Sequence, residues 1–167
     1  MKKISIEEYK EVINLYPIWK ELNSRIKQLY PRGVNFHELF SEFIVCYHND
    51  YYHSLGAGSE DALTNNSEKV QIKGTSNFNS DLTSFGPKSE FSILEFARLD
   101  QDKNLLFLYR IPICDLNKVY VNKNETFKDQ QLLNRRPRFS IIDKFINKYD
   151  LKHYAVVDMI SGKISKN

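Results

Sequence analysis

Asp61-Ala62-Leu63-Thr64-Asn65-Asn66-Ser67-Glu68-Lys69-Val70-Gln71-Ile72-Lys73 is the stretch that sets the architecture. Two strand-like runs, Asp61-Ala62-Leu63 and Lys69-Val70-Gln71-Ile72-Lys73, flank the polar turn Thr64-Asn65-Asn66-Ser67, the pattern of a β-hairpin. Successive side chains of a strand point to opposite faces, so Gln71 and Lys73 share one face while Val70 and Ile72 face the core. The tight turn folds Asp61 back beside that pair. A carboxylate, a carbonyl oxygen and an ammonium then converge at the edge of a sheet.

Working toward the N-terminus, a helix precedes the hairpin. Asn35 reads as its cap with Glu38 at the third helical position, and Phe36, Leu39, Phe40, Phe43, Ile44 and Tyr47 form a wide apolar stripe. The helix is expected to end near Asn49-Asp50, before the loop Leu55-Gly56-Ala57-Gly58-Ser59. Further upstream, Ser5 and Glu8 form a capping box for a first helix carrying Tyr9, Val12, Ile13 and Tyr16. Pro17 suits the first turn of a second helix with Trp19, Leu22, Ile26 and Leu29 along one side, and Pro31-Arg32-Gly33 breaks the pattern. Residues 1–34 read as a helical packing or dimer-forming segment, and 35–167 as a catalytic core, within one domain.

Toward the C-terminus, Gly74 through Lys88 is rich in Ser, Asn, Thr and Gly and reads as a loop. Phe91 to Arg98 and Leu105 to Ile111 are strands around the turn Asp100-Gln101-Asp102-Lys103-Asn104, and Val119 to Val121 adds a short strand. Ser140 with Asp143 caps a last helix bearing Ile141, Ile142, Phe145, Ile146 and Tyr149. A strand from Tyr154 to Ile160 and a Ser161-Gly162 turn follow. The expected fold is α/β (α+β), a central mixed β-sheet flanked by helices.

The 167 residues suffice for one domain with a core of its own. No apolar run approaches the ~18 residues needed to span a bilayer, and Met1-Lys2-Lys3-Ile4 lacks a signal-peptide core, so a cytoplasmic protein is expected. Two cysteines, Cys46 and Cys114, are too few for a disulfide framework. The net charge is +3, and its distribution says more. Between Arg135 and Lys152 six basic residues (Arg135, Arg136, Arg138, Lys144, Lys148, Lys152) face two acidic ones (Asp143, Asp150). That excess is either a surface for a phosphate backbone or a solvated helix face.

Acid, amide and amine at a sheet edge fit metal-assisted phosphodiester hydrolysis. The carboxylate suits Mg²⁺, which prefers oxygen ligands and retains waters. The metal polarises the phosphate and lowers the pKa of a bound water. The lysine orients that water and stabilises charge developing in the transition state.

Asp61 followed ten residues later by Gln71-Ile72-Lys73 resembles the PD-(D/E)XK nuclease motif, an acidic residue preceding a strand with (D/E)-X-K. Glu60 stands where the motif has proline, and Gln71 replaces an acidic residue, which removes one negative ligand. The resemblance implies a further glutamate from the helix before the hairpin, Glu42 or Glu38, of which Glu42 lies one turn deeper and is preferred. Arg135-Arg136-Pro137-Arg138-Phe139-Ser140 is similar to a segment recurring in small type II restriction enzymes before their last helix. Within that group the nearest likeness is to enzymes cutting the interrupted site GC-N-GC.

The resemblance implies a restriction-endonuclease-like fold, Mg²⁺ as cofactor, double-stranded DNA as substrate, a homodimer, and a cognate DNA methyltransferase as genetic neighbour. The expected catalytic set is Asp61, Gln71, Lys73 and Glu42, with Asp61, Gln71 and Glu42 on the metal. Arginines suit guanine edges and phosphates, so Arg135, Arg136 and Arg138 are candidate DNA contacts, as are Asn77, Asn79, Ser80 and Lys88. Another nuclease on this fold, junction-resolving or repair, and a non-catalytic DNA-binding module are the alternatives.

Rival constellations are weaker. His37, Cys46, His48 and His53 match no tetrahedral zinc spacing, and Cys46 falls inside an apolar helix where a nucleophile is unsuited. No phosphate-cradling glycine pattern is present. Most of the ten Tyr and eleven Phe fall at core positions of periodic segments rather than on a base-stacking sheet.

Overall fold

The computed structural model describes residues 1–56 and 59–166; Ala57 and Gly58 of the expected 55–59 loop lie outside the described residues. Helix α1 spans Ile6–Leu29, and its capping box is formed by Ser5 and Glu8 as the sequence implies. It is one helix rather than two, with Pro17 in its interior. An interior proline costs about 3 kcal/mol through its missing N–H and its ring. Pro17 lies on the exposed side, while Tyr16 and Trp19 on the other side are buried in the core. Each large buried apolar side chain contributes about 1.5–3 kcal/mol, so burial along the continuous face outweighs the proline.

Helix α2 spans Glu38–Asn49 and ends, as expected, at a left-handed Asp50. Its cap is His37, whose Nδ1 accepts from Leu39 N at 3.1 Å, in place of the expected Asn35. The segment before it is strapped to α1, which delays the helix. Asn23 Oδ1 accepts from Val34 N at 2.9 Å, and Trp19 Nε1 donates to Asn35 O at 2.9 Å. Glu38 is thereby the first helical residue and has no capping task.

The strands are β1 (Lys2–Lys3), β2 (Tyr52–His53), β3 (Ala62–Leu63), β4 (Lys69–Thr75), β5 (Thr83–Ser84), β6 (Ile93–Asp100), β7 (Leu105–Pro112), β8 (Arg138–Phe139), β9 (Ala155–Asp158) and β10 (Ile164–Lys166). Eight of them form one mixed sheet in the order β1-β2-β3-β4-β6-β7-β9-β10, in which, among the described residues, only β4 and β6 run parallel. The predicted hairpin is β3–β4, with Ala62 opposite Val70. The predicted 91–98 and 105–111 strands are β6 and β7.

Differences are local. β4 continues through Gly74 and Thr75 into the expected loop, which also holds β5, paired with β8 in a small second sheet. The expected 119–121 strand is reduced to a single bridge between Tyr120 and Thr126. Two short helices, α3 (Ile113–Leu116) and α4 (Phe127–Leu132), and the edge strand β10 carry too few residues to show periodicity. The last helix winds as a π-helix over Ile142–Asn147. Ser140 Oγ accepts from Asp143 N at 3.0 Å as expected, and the Asp81 carboxylate accepts from Ile141 N and Ile142 N as well.

The main sheet separates two cores. Tyr9, Val12, Tyr16, Trp19, Phe40, Ile44 and Val45 of α1 and α2 pack on Val70, Ile72, Ala97, Leu99, Leu106 and Leu108. Leu94, Phe96, Tyr109 and Ile111 point the other way, onto Phe85, Phe127, Phe139, Ile142 and Phe145. β6 and β7 thus alternate faces, as a sheet covered on both sides requires.

Candidate active site

β4 outruns its hairpin partner. Beyond Ala62 opposite Val70, no residue of β3 faces Ile72. Asp61, just before β3, fills the gap: its Oδ2 accepts from Ile72 N at 2.6 Å and from the Gln71 side-chain amide. The carboxylate is therefore fixed by the strand that carries the rest of the motif.

On the other side of the site, α2 supplies Glu42. His53 of β2 is buried, and its Nδ1 accepts from Leu55 N at 3.0 Å. Its remaining proton is then on Nε2, which donates to Glu42 Oε2 at 2.6 Å. Asp61 Oδ1 and Glu42 Oε1 stay outside these bonds. α2 comes this close to β4 because of Gly74, where a Cβ would lie 3.0 Å from the Cβ and Oγ of buried Ser41.

Between the two elements lies a cavity of about 340 Å³ lined by Phe36, Glu38, Ser41, Glu42, Asp61, Ile72, Lys73 and Gly74. Asp61 and Lys73 thus line the same space, and Gln71 reaches it through its bond to Asp61. Burial pushes the Asp61 carboxyl above its ordinary value, and the nearby Glu42 charge adds to this. The Ile72 amide, the Lys73 charge and the Gln71 amide oppose the shift without reversing it. Among the described residues, Lys73 has no hydrogen-bonded or ion-paired partner for its side chain, so its ammonium is uncommitted beside that carboxyl.

The profile of the Bsp6I restriction endonuclease family matches residues 4–148. The chain is also 37% identical over 166 residues, 98% of its own length and 95% of the relative's, to the type II restriction enzyme Bsp6I of Bacillus sp. (strain RFL6). This chain belongs to the Bsp6I restriction endonuclease family.

The candidate DNA contacts of this family member are not among the residues that line the cavity. Asn77 Nδ2 donates to Ser80 Oγ at 2.8 Å and Asn77 Oδ1 accepts from Asn79 N at 3.1 Å, so these side chains hold their own turn. That turn is pinned by Arg98, whose guanidinium lies 3.8 Å over the Phe78 ring and whose Nε donates to Phe78 O at 2.6 Å. Arg135 is paired with Glu125 at 2.5 Å, which takes one charge from the expected basic run, whereas Arg136 and Arg138 are exposed. Lys88 lines a separate cavity of about 410 Å³ with Lys128 and Gln131.

Sequence reasoning missed His53, Ser41 and Phe36 as parts of the site. None carries a local signal, because each contributes through a contact between elements distant in sequence. The rival cysteine chemistry has no support in the geometry: Cys46 is buried, and burial pushes its thiol upward. Among the described residues no helix is long and apolar enough to cross a membrane.

Proposed function

We propose that this chain is a type II restriction endonuclease that hydrolyses phosphodiester bonds in double-stranded DNA at a short specific sequence, with Mg²⁺ as its cofactor. The family resemblance points to GC-N-GC as that sequence. The observation that carries the reading is the joint lining of one polar cavity by Glu42, Asp61 and Lys73, with Gln71 bonded to Asp61.

The donor set fits a hard cation. Two carboxylates and an amide carbonyl are all oxygen ligands, and a buried carboxyl held above its usual pKa gains from a positive charge. Among the described residues no three His, Cys, Asp or Glu side chains converge into a complete cage. Mg²⁺ tolerates such an open set because it keeps waters and takes substrate phosphate oxygens. Asp61, Gln71 and Glu42 would hold the ion, which when bound supplies Lewis-acid polarisation of the phosphate and a more acidic water.

The chain's own groups do the remainder. Gln71 and the Ile72 amide fix Asp61, while His53 fixes Glu42, so both carboxylates are aimed before substrate arrives. Lys73 orients the attacking water and stabilises negative charge building on the non-bridging phosphate oxygens. The enzyme acts as a homodimer in the cytoplasm, beside a methyltransferase that protects host sites.

Incubation with plasmid and Mg²⁺ should yield discrete fragments. Lys73→Ala should lose at least 100-fold in cleavage, the scale of one transition-state charge contact, while retaining specific DNA binding. Full activity in that variant would remove Lys73 from the mechanism, and a gel shift without wild-type cleavage would leave only a binding module.

A further inference from the structure

The catalytic cavity does not end at Gly74. A second, larger groove of about 640 Å³ adjoins it and shares Phe36, Glu38 and Gly74 in its lining. Its outer wall comes from the end of α1 and the segment that follows: Asn23, Lys27, Arg32 and Gly33. The N-terminal helix, expected to pack or dimerise, therefore reaches the neighbourhood of the chemistry.

The groove is built rather than incidental. Asn23 is buried, accepts from Val34 N at 2.9 Å and donates to Gln101 Oε1 at 3.1 Å. Gln101 Nε2 in turn donates to Ser76 O at 2.5 Å. This amide relay ties α1, the 33–34 segment, the β6–β7 turn and the residues after β4 into one frame. Gly33 is pressed against it: a Cβ there would meet Asn23 Oδ1 at 1.9 Å and Lys27 Cε at 2.8 Å. The Lys27 side chain thus lies against Gly33 in the same wall of the groove.

The charge of the groove is also uncommitted. Lys27 and Arg32 are exposed and have no ion-pair partner among the described residues. Arg25, on another side of the same helix, is by contrast neutralised by Glu21 at 2.5 Å. Two cations unpaired among the described residues stand along a polar groove whose one carboxylate, Glu38, sits where it joins the cavity, and cations so placed match a run of backbone phosphates. A strand with its scissile phosphate between Asp61 and Lys73 must leave the cavity, and this groove is a continuous way out. Each strand carries a phosphate every ~3.4 Å of helix axis, so the next phosphates fall within such a groove.

We propose that the α1–α2 groove binds the DNA backbone on one side of the scissile bond, with Lys27 and Arg32 as phosphate ligands. This rests on the endonuclease reading above. Neither residue touches the reacting atoms, so their loss should weaken substrate capture and spare the chemical step.

The test is single-turnover cleavage of a linear duplex containing the site, at fixed Mg²⁺ and across a NaCl series, with excess enzyme. Each phosphate contact contributes about 0.9 to the slope of log affinity against log salt. Lys27→Ala with Arg32→Ala should flatten the slope of log half-saturating enzyme concentration by about 1.8, with the maximal rate within twofold of wild type. Each single variant should show about half of that change, and the charge-conserving pair Lys27→Arg with Arg32→Lys should keep the wild-type slope. An unchanged slope in an active double variant overturns the groove assignment and leaves the endonuclease reading standing. A fall in maximal rate at unchanged half-saturation overturns it too. Failure of the wild type to cut overturns the endonuclease reading itself, and the groove assignment with it.

Discussion

Asp61 is held by two donors yet surrounded by conditions that disfavour its charge. Burial dominates its raised pKa, and neither the Ile72 amide nor Lys73 compensates. An acid whose folded pKa exceeds its unfolded value makes the folded state less stable once it ionises. The penalty is absent below the unfolded value near 3.8, grows as pH rises, and is complete above the folded pKa. Asp61→Asn keeps an acceptor for Ile72 N and removes the penalty. Metal-free Asp61→Asn should therefore melt above wild type at neutral pH, with the gap closing on acidification toward pH 4. Mg²⁺ should reverse the order, because the variant keeps the Glu42 charge but loses that of Asp61. At 100 times Kd a bound ion adds about 2.7 kcal/mol, or about 2–4 °C in Tm per kcal/mol for a chain of this size. Thermal melts of both proteins across pH, with and without Mg²⁺, check the sign of each shift.

At the scale of elements, the parts legible in sequence are those where one local pattern serves one buried face. The hairpin 61–73, β6, β7 and the apolar stripe of α2 were readable because alternation or helical spacing repeats over several residues. Pro17 misled, because the burial that overrides it depends on Tyr16 and Trp19 meeting Phe40 across the helix pair. The cap at His37 was hidden because Asn23 and Trp19, more than ten residues upstream, hold the chain extended before it. The triplet Gln71-Ile72-Lys73 was visible, and the tie between Glu42 and His53 was not. A deeper contact joins the elements behind the site. Glu95 is fully buried and accepts from Arg110 Nε at 2.7 Å, Tyr51 OH at 3.1 Å and Tyr154 OH at 2.9 Å. Burial raises the Glu95 carboxyl, and Arg110 is the main group opposing that shift. Removing one partner of a buried pair leaves an uncompensated charge and costs about 3–5 kcal/mol. The Arg110 side chain is 42% exposed and the two tyrosine donors remain in Arg110→Ala, so solvent screening reduces the expected loss to about 1–2 kcal/mol. Urea denaturation checks it, and a change below 1 kcal/mol would show that the tyrosines alone satisfy Glu95.

At the scale of the whole molecule, α1 presents two opposed sides. At 3.6 residues per turn Ile18, Leu22 and Leu29 fall within about 40° of one another, and Lys27 falls on the far side. The apolar three are exposed, Ile18 at 64% and Leu29 at 90%, and the Arg25–Glu21 ion pair lies on the same side of the helix, with Arg25 between Leu22 and Leu29. Exposed apolar side chains along one side of a helix are a candidate interface for the homodimer proposed above, which would relate two catalytic cavities by a twofold axis. Because the groove side of α1 faces the opposite way, a second copy can dock on the stripe without covering Lys27. Ile18→Ser, Leu22→Ser and Leu29→Ser together should leave each fold intact, since none of the three belongs to the buried core. The wild type should sediment as a dimer and the triple variant, at the same concentration, as a monomer. Its two cavities then act independently, so supercoiled plasmid should accumulate as nicked circles before any linear product forms, whereas the wild type should yield linear DNA in one binding event. A triple variant that stays dimeric places the interface elsewhere on the molecule. One that is monomeric yet linearises plasmid without a nicked intermediate breaks the link between pairing and double-strand cutting, because a lone cavity has only one set of ligands to offer two strands.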